Sequence, residues 1–445
     1  MKIVIAGAGE VGTHLARLLS LENQDIILID KDARRLAGID ATCNLLTVMG
    51  NPISPTTQRR AGVEDCDLFI AVTPFETENV VACELAKAFG AKKTVARIDN
   101  YEFMQPECRG LFAGMGINTT IYPEYLAALE IQTALRMNWI RNWFELHSGQ
   151  LIVVGVKLRD NAECVNMQLK EFAMREHNFH VSAIRRRHDT IIPRGEDYLL
   201  SGDIVYFTTT GAHIDALRQM CGKKQLHIQN VMIIGGSRIA VRLVSLLKDS
   251  HYKFKIIEQD MARCAYLSER CPDADIICGD PRDIDMLRAE GIEETDCFIA
   301  LNDSSEMNIL ACLTAKETGV LKTIAEVENI RLIAEAENLN IGTIINKKLL
   351  ASSGIFQMML DSDATTPRCL ALADAEVAEI VAKPNSKITR KPVRSLSLPR
   401  EITLAGLVRD GVGMLIDGNT RIEAGDSVVV FCLQGSLHQV EKLFY

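Results

Sequence analysis

A chain of 445 residues is too long for one hydrophobic core, so several domains are expected. Apolar residues make up 47% and charged residues 24%, and the net charge of −9 argues against a nucleic-acid or general polyanion binder. No stretch approaches the roughly 18 apolar residues of a membrane span, and the strand-like run from Ile3 leaves no room for a signal peptide, so any membrane role is expected to be peripheral.

Along the chain, Ile3-Val4-Ile5-Ala6 breaks into glycine and then into helix-forming sequence. Further short apolar runs at 26–29, 45–49, 68–72, 94–98 and 117–121 alternate with helical segments. That alternation predicts βαβ units and a parallel sheet over residues 1–120. A helical segment from Tyr122 to about Phe144 follows, with Leu126, Leu129, Leu135, Trp139 and Trp143 near helical spacing. It predicts a connecting helix over 121–145 with one buried face. Residues 146–226 change character. Leu151–Val156 and Ile204–Phe207 are rich in β-branched residues, and Arg194-Gly195-Glu196-Asp197 and Ser201-Gly202-Asp203 are turn signals between them.

The pattern then begins again. Apolar runs at 231–234, 254–257, 275–278, 297–301, 322–327 and 343–346 predict a second parallel sheet over 227–346. A second connecting helix is expected over 347–368 and a second small module over 369–445. In that module Ile416-Asp417-Gly418 and Gly425-Asp426 repeat Ile192-Pro193-Arg194-Gly195 and Gly202-Asp203 at a shift of 223. The expected class is therefore α/β: two Rossmann-like, doubly wound parallel-sheet domains, each followed by a small, β-rich α+β domain.

The duplication holds register at single residues. Gly235 follows Gly7 and Glu258 follows Asp30 at a shift of 228. Gly279-Asp280 follows Gly50-Asn51, Asn302 follows Thr73, Asn308 follows Asn79 and Glu326 follows Arg97, all at 229. Such a period marks a duplicated set of domains and not a solenoid unit. Function must be argued for two sites.

Gly7-Ala8-Gly9-Glu10-Val11-Gly12 is the first of them. A dinucleotide pyrophosphate needs backbone N–H donors at a helix N terminus, where free amides and the macrodipole favour an anion. Gly7 makes the tight turn, Gly9 lets backbone approach phosphate, and Gly12 lets helix and strand pack closely. A lone pattern of this kind is weak. This one follows a strand, opens a helix and has Asp30 at a second strand end, 18 residues beyond Gly12. An acid there accepts ribose hydroxyls and repels a 2′-phosphate, favouring NAD(H) over NADP(H).

The second fingerprint, Gly235-Gly236-Ser237-Arg238-Ile239-Ala240, is degraded. Ser237 replaces the second glycine and either obstructs the phosphate or offers it a hydroxyl. Ala240 replaces the third, where only close packing is required. Glu258 keeps the ribose-binding acid, and Arg238 is placed to meet a phosphate. Arg97 reads as a phosphate or charge-sensing group or as a surface ion pair, and its counterpart Glu326 reverses the charge. The two sites are expected to differ in ligand or in strength.

The 13 cysteines form no CxxC pair, and Cys264, Cys271 and Cys278, seven apart, do not make a zinc cage. They read as reduced, mostly buried thiols. An NAD-dependent dehydrogenase is the rival class, and it would need a proton-transfer group near the nicotinamide. The nine histidines form no HxxxH or HExxH cluster. His14 lies in the first loop's helix, and His180 and His188 sit in a small module without a convergent acid, lysine and serine motif.

Together these residues resemble the peripheral NAD-binding subunits of bacterial Trk potassium-uptake systems, which carry tandem domains of the kind that regulate potassium conductance. The resemblance rests on Ile5-Ala6-Gly7-Ala8-Gly9 with Asp30, Gly50-Asn51, Ala71-Val72-Thr73 with Glu78-Asn79, Ala96-Arg97-Ile98, and the closing Ala424-Gly425-Asp426-Ser427-Val428-Val429. It implies NAD(H) contacts at Gly7, Ala8, Gly9, Glu10, Val11, Asp30, Gly50, Asn51, Thr73, Pro74 and Arg97. In the second copy it implies Gly235, Gly236, Ser237, Arg238, Ile239, Glu258, Gly279, Asp280, Leu301, Asn302 and Glu326. It further implies NAD as ligand, with ATP or ADP open at one of the two sites, no catalytic residues and no metal. The implied assembly is a homo-oligomer, a dimer or a tetrameric ring. It would lie in the cytoplasm against the inner face of the cell membrane, docked on a potassium-translocating membrane subunit.

Overall fold

Short β-branched runs buried on both faces become parallel strands because helices cover both sides of the sheet. In the computed structural model, which describes residues 1–20, 24–40, 43–147, 149–187, 189–360, 368–372, 375–433 and 436–444, this happens twice. Strands β1 (Lys2–Ala6), β2 (Asp25–Asp30), β3 (Leu46–Met49), β4 (Leu68–Ala71), β5 (Lys93–Arg97) and β6 (Thr119–Ile121) form one sheet. Its order is β3-β2-β1-β4-β5-β6, all parallel. The small module that follows holds β7 (Asn142–Leu146), β8 (Leu151–Lys157), β9 (His180–Arg186), β10 (Asp189–Ile191) and β11 (Ile204–Thr209), antiparallel in the order β10-β9-β11-β8-β7.

The second set repeats both sheets. Strands β12 (Asn230–Ile234), β13 (Lys253–Glu258), β14 (Ala274–Cys278), β15 (Cys297–Ala300), β16 (Lys322–Glu326) and β17 (Thr343–Ile345) take the order β14-β13-β12-β15-β16-β17. Strands β18 (Arg368–Leu372), β19 (Ala375–Val381), β20 (Ile402–Arg409), β21 (Val412–Leu415) and β22 (Ser427–Leu433) pair as β18-β19-β22-β20-β21. In each parallel sheet the order of the strands reverses between the first and fourth in the chain, the switch point where open α/β sheets bind ligands. The two parallel-sheet domains form one compact unit, residues 1–132 with 228–356, and the small modules another, 133–227 with 357–445.

Core details are duplicated as well. Cys83 and Cys312 are both fully buried. Their thiols lie 3.3 Å from the Val95 carbonyl and 3.5 Å from the Ile324 carbonyl, and burial pushes both thiols up. They pack as small apolar residues. In the small modules, Arg186 grips Asp203 with two hydrogen bonds of 2.9 and 2.7 Å. Arg409 grips Asp426 likewise at 2.8 and 2.7 Å. Apolar residues from both small sheets, among them Leu151, Val153, Tyr206, Val377, Val429 and Phe431, share one core.

The first connecting helix is shorter than its spacing suggests. It spans Pro123–Arg136, and Trp143 and Phe144 lie on β7 instead. Asn138 ends the helical path: its amide nitrogen donates to Leu226 O at 2.9 Å and its oxygen accepts from Leu226 N at 2.9 Å. Trp139 is then buried in the core of the first small module, and Trp143 donates to Glu145 at 3.0 Å. The second connecting helix is Lys347–Leu360; residues 361–367 of the expected span, and His188, lie outside the described residues.

Candidate nucleotide sites

The first glycine loop leaves the end of β1. Gly7 takes φ +111°, a left-handed region that glycine enters freely, and its N–H donates to Ile29 O at 2.8 Å. Asp30, buried at the end of β2, accepts the Ala8 N–H at 2.6 Å and the Asp32 N–H at 2.8 Å, one on each carboxylate oxygen. Each oxygen keeps a further lone pair for a ribose hydroxyl. A Cβ on Gly12 would fall 1.8 Å from Gly7 O, whereas one on Gly9 would meet nothing within 4 Å. Gly12 is thus required by packing, and Gly9 presents open backbone.

The second loop is built the same way. Gly235 takes φ +90° and donates to Ile257 O at 2.9 Å. Glu258 accepts Gly236 N–H at 2.8 Å and Asp260 N–H at 2.9 Å. Ser237 turns its hydroxyl to the helix Arg238–Leu246, where it accepts from the Ala240 amide at 3.4 Å as the N-cap. Arg263, which sequence reasoning missed, closes the loop from outside: its Nε donates to Gly236 O at 2.6 Å and its guanidinium stacks on Tyr266 at 4.5 Å. An arginine five residues beyond the acid carries no signal of its own in a single sequence.

Behind each loop a fully buried asparagine fastens the neighbouring strand ends. Asn79 accepts Thr73 N–H at 2.8 Å and donates to Thr73 O and Arg97 O at 3.0 Å. Asn308 accepts Asn302 N–H at 2.9 Å and donates to Asn302 O and Glu326 O at 2.8 Å. Gly50 and Gly279 are tied to the ends of β2 and β13 through Asp30 O and Glu258 O. Asn51 accepts from Ile53 N–H at 3.2 Å. Asp280 is held below the usual carboxylate range, at about 2, by its side-chain bonds to Arg282.

A cavity of about 1140 Å³ opens over the second loop. Of the expected contacts, Gly235, Gly236, Ser237, Arg238, Ile239, Glu258, Leu301 and Asn302 line it, while Gly279, Asp280 and Glu326 do not. The first repeat completes it with Val11, Pro74, Arg97, Asp99, Pro123 and Glu124. The remaining first-copy positions, Gly7–Glu10, Gly12, Asp30, Gly50, Asn51 and Thr73, gather at the carboxyl ends of β1–β4. Three polar atoms of the lining, Arg97 Nε, Glu124 Oε2 and Asn302 Nδ2, are buried with no hydrogen-bond partner. Such atoms are rare in a finished interior, and each belongs to a residue that lines a space of ligand size. The charges are mixed: Arg238 lies 3.8 Å and Arg97 3.2 Å from Asp99.

Glu326 is buried at 3% exposure and lies 3.0 Å from Lys347. Burial pushes its carboxyl up to about 7 against the pull of that lysine. Glu328, served by both Lys347 and Lys348, stays below its ordinary value although burial opposes this. Of the histidines, His14 is lowered by burial. His180 is lowered to about 4 by burial against the second small module, where its Nε2 lies 3.3 Å from Thr403 Oγ1.

Residues 3–123 and 231–347 match the TrkA-N domain, and residues 153–222 and 377–445 match the TrkA-C domain. The chain belongs to the TrkA family. It is 30% identical to the Trk system potassium uptake protein TrkA of Halomonas elongata and 30% identical to that of Haemophilus influenzae, in each case over 100% of this chain and 98% of the relative. A TrkA homologue of Methanosarcina mazei is 28% identical over the full length of both chains. Among solved structures, the GsuK RCK domain covers 100% of this chain and 94% of its own, with a TM-score of 0.60 at 14% identity. The GsuK channel bound to NAD covers 100% of this chain and 78% of its own, also at 0.60 and 14%. Members of this family are regulatory and not enzymes, so the dehydrogenase alternative falls.

Proposed function

We propose that this chain is a nucleotide-sensing regulator of potassium uptake, binding NAD(H) at the first glycine loop and NAD(H) or an adenine nucleotide at the second. It acts as a homo-oligomer docked on a potassium-translocating membrane protein at the cytoplasmic face. The modules are those set out from sequence, 1–120 and 227–346 for nucleotide, 146–226 and 369–445 for association. One observation carries the reading. The cleft over the second loop is walled by both repeats, and three of its lining residues carry an unpartnered buried polar atom. The relatives' name as Trk potassium uptake proteins and the structures of GsuK bound to NAD and to ADP support the partner and the ligand class. Among the described residues no helix is long and apolar enough to cross a membrane, which fits a permeation path in another chain.

The residues present fit a dinucleotide. Gly9 offers open backbone, Asp30 and Glu258 stand at the ribose positions, and Arg238 and Arg97 flank the second loop. A ligand touching both repeats binds one separation of the two domains better than another, and only such unequal binding can gate a partner. A tenfold preference supplies about 1.4 kcal/mol per site, so two sites in each of several coupled subunits reach the roughly 5.5 kcal/mol that moves an equilibrium from nearly closed to nearly open.

The test is twofold. Purified full-length protein is titrated calorimetrically with NADH, NAD, ADP and ATP, and a strain lacking the gene is grown at limiting potassium. Saturable nucleotide binding with a growth defect rescued by the wild-type gene is expected. A protein that binds none of the four, or whose loss leaves potassium uptake unchanged, would overturn the proposal.

A further inference from the structure

The two sites share a residue that neither fingerprint contains. Lys348, second in the helix Lys347–Leu360, pairs across the repeats with Glu10, the first residue of the helix that opens at Gly9. Its Nζ also lies 2.8 Å from Glu328, and the same side chain lines the cleft over the second loop. One turn later the buried Ser352 donates to Val11 O at 3.3 Å, so this helix is fixed to the start of the first loop's helix at two points. Glu10 poses a problem that Lys348 answers. A carboxylate at the N terminus of that helix stands where a pyrophosphate needs positive potential, and an uncompensated negative charge there would repel it.

Building on the nucleotide-sensing reading, we infer that Lys348 is a phosphate-positioning residue supplied by the second repeat to the first nucleotide site and shared with the second. At the first loop it neutralises Glu10 and supplies an ammonium beside the bound phosphates. At the second it faces the ligand directly. Binding at one site therefore changes the partners left for Lys348 at the other.

The experiment uses the full chain, with NADH as the charged probe and adenosine as the phosphate-free one. In Lys348→Met, NADH affinity in the tighter event should fall at least about fivefold, the scale of a partly exposed charge contact, while adenosine binding stays unchanged. Lys348→Arg should retain near wild-type affinity. Adding Glu10→Gln to Lys348→Met should recover most of the loss. The NADH-induced change in amide exchange at Gly235–Ile239 should shrink in Lys348→Met. An NADH affinity within about twofold of wild type, an equal loss for adenosine, or no recovery in the double variant would each overturn the inference while leaving the nucleotide-sensing reading intact. A wild-type chain that binds no nucleotide would overturn both.

Discussion

Arg97 and Glu326 end equivalent strands, β5 and β16, and carry opposite charges into opposite company. Arg97 lies 3.2 Å from Asp99, and Glu326 lies 3.0 Å from Lys347. The helices that follow reverse charge too: Glu124 is second in Pro123–Arg136, and Lys348 is second in Lys347–Leu360. Both changes fall beside the cleft. The repeats have kept their fold and exchanged their electrostatics, so a single ligand class cannot meet the same surroundings twice.

Glu326 should make stability fall as pH rises. Burial pushes its carboxyl from the ordinary value up to about 7 in the fold. Between the unfolded value near 4.5 and the folded value near 7 the native state holds more protons than the unfolded one. Unfolding free energy then declines with pH across that window, by about 1.4 kcal/mol for each unit of displacement. Lys347, held above its ordinary value by its carboxylate neighbours although burial opposes this, keeps its charge throughout. Denaturant unfolding of wild type and Glu326→Gln between pH 5 and 8 checks this. The variant should show the shallower pH dependence, and parallel curves would refute the assignment.

Asp30 holds its own loop together, beside the ribose role proposed for it. Reading the sequence as a ribose acceptor suggests that Asp30→Ala spares the fold. The structure shows its two oxygens already holding the Ala8 and Asp32 amides at 2.6 and 2.8 Å. Removing them leaves two amides without acceptors, so Asp30→Ala should lower stability by about 1–3 kcal/mol along with NADH affinity. Glu258→Ala should behave alike in the second repeat. Urea midpoints measured beside NADH titrations separate the two effects, and an unchanged midpoint would contradict the loop-holding role.

The sequence made legible the apolar runs of the parallel strands and the glycines of the two loops. Apolar runs placed all twelve parallel strands to within two residues: the central β1, β4, β12 and β15 are buried on both faces and leave continuous runs, and the partly exposed edge strands β3 and β14 stay apolar enough to be read. The fingerprint located both loops because Gly7 and Gly235 need positive φ. The end of the first connecting helix was hidden, since Trp139 and Trp143 fit helical spacing by coincidence while the long-range Asn138–Leu226 pairing turned the chain. Arg263, Glu124, Lys347 and Lys348 were also hidden. They reach the cleft through tertiary placement, and nothing local distinguishes them from solvated surface charges.

Asp203 and Asp426 should be equivalent anchors of the small modules. Each is 2% exposed and receives a two-pronged arginine, Arg186 in one and Arg409 in the other. Removing the carboxylate leaves the half-buried Arg186 with Tyr198 O alone and Arg409 with Arg421 O and Glu423, and it orphans the Leu200 and Glu423 amides. The expected loss is about 2–4 kcal/mol, a little under the range for fully buried pairs. Asp203→Ala and Asp426→Ala should therefore lower thermal stability by similar amounts. A neutral result in either would show that the pair there is solvated and expendable.

Substitutions at Gly9 and Gly12 should separate the proposed ligand recognition from packing within one loop. A Cβ at position 9 meets nothing within 4 Å, so Gly9→Ala should leave unfolding within about 0.5 kcal/mol of wild type. It should nonetheless weaken NADH, because the methyl enters the path by which phosphate approaches backbone. A Cβ at position 12 would lie 1.8 Å from Gly7 O, so Gly12→Ala must push the helix Glu10–Ser20 off its own loop. Overpacking of this kind costs about 1–3 kcal/mol or more. The second repeat carries Ala240 at this place, so its helix has already accepted the side chain. Ala240→Gly should therefore not stabilise the protein. Urea unfolding and calorimetric NADH titration of the three variants give the pattern: Gly9→Ala stable but weak in binding, Gly12→Ala unstable, Ala240→Gly no more stable than wild type. A Gly12→Ala protein as stable as wild type would mean that the first helix yields without cost, and the steric account of the third glycine would be wrong.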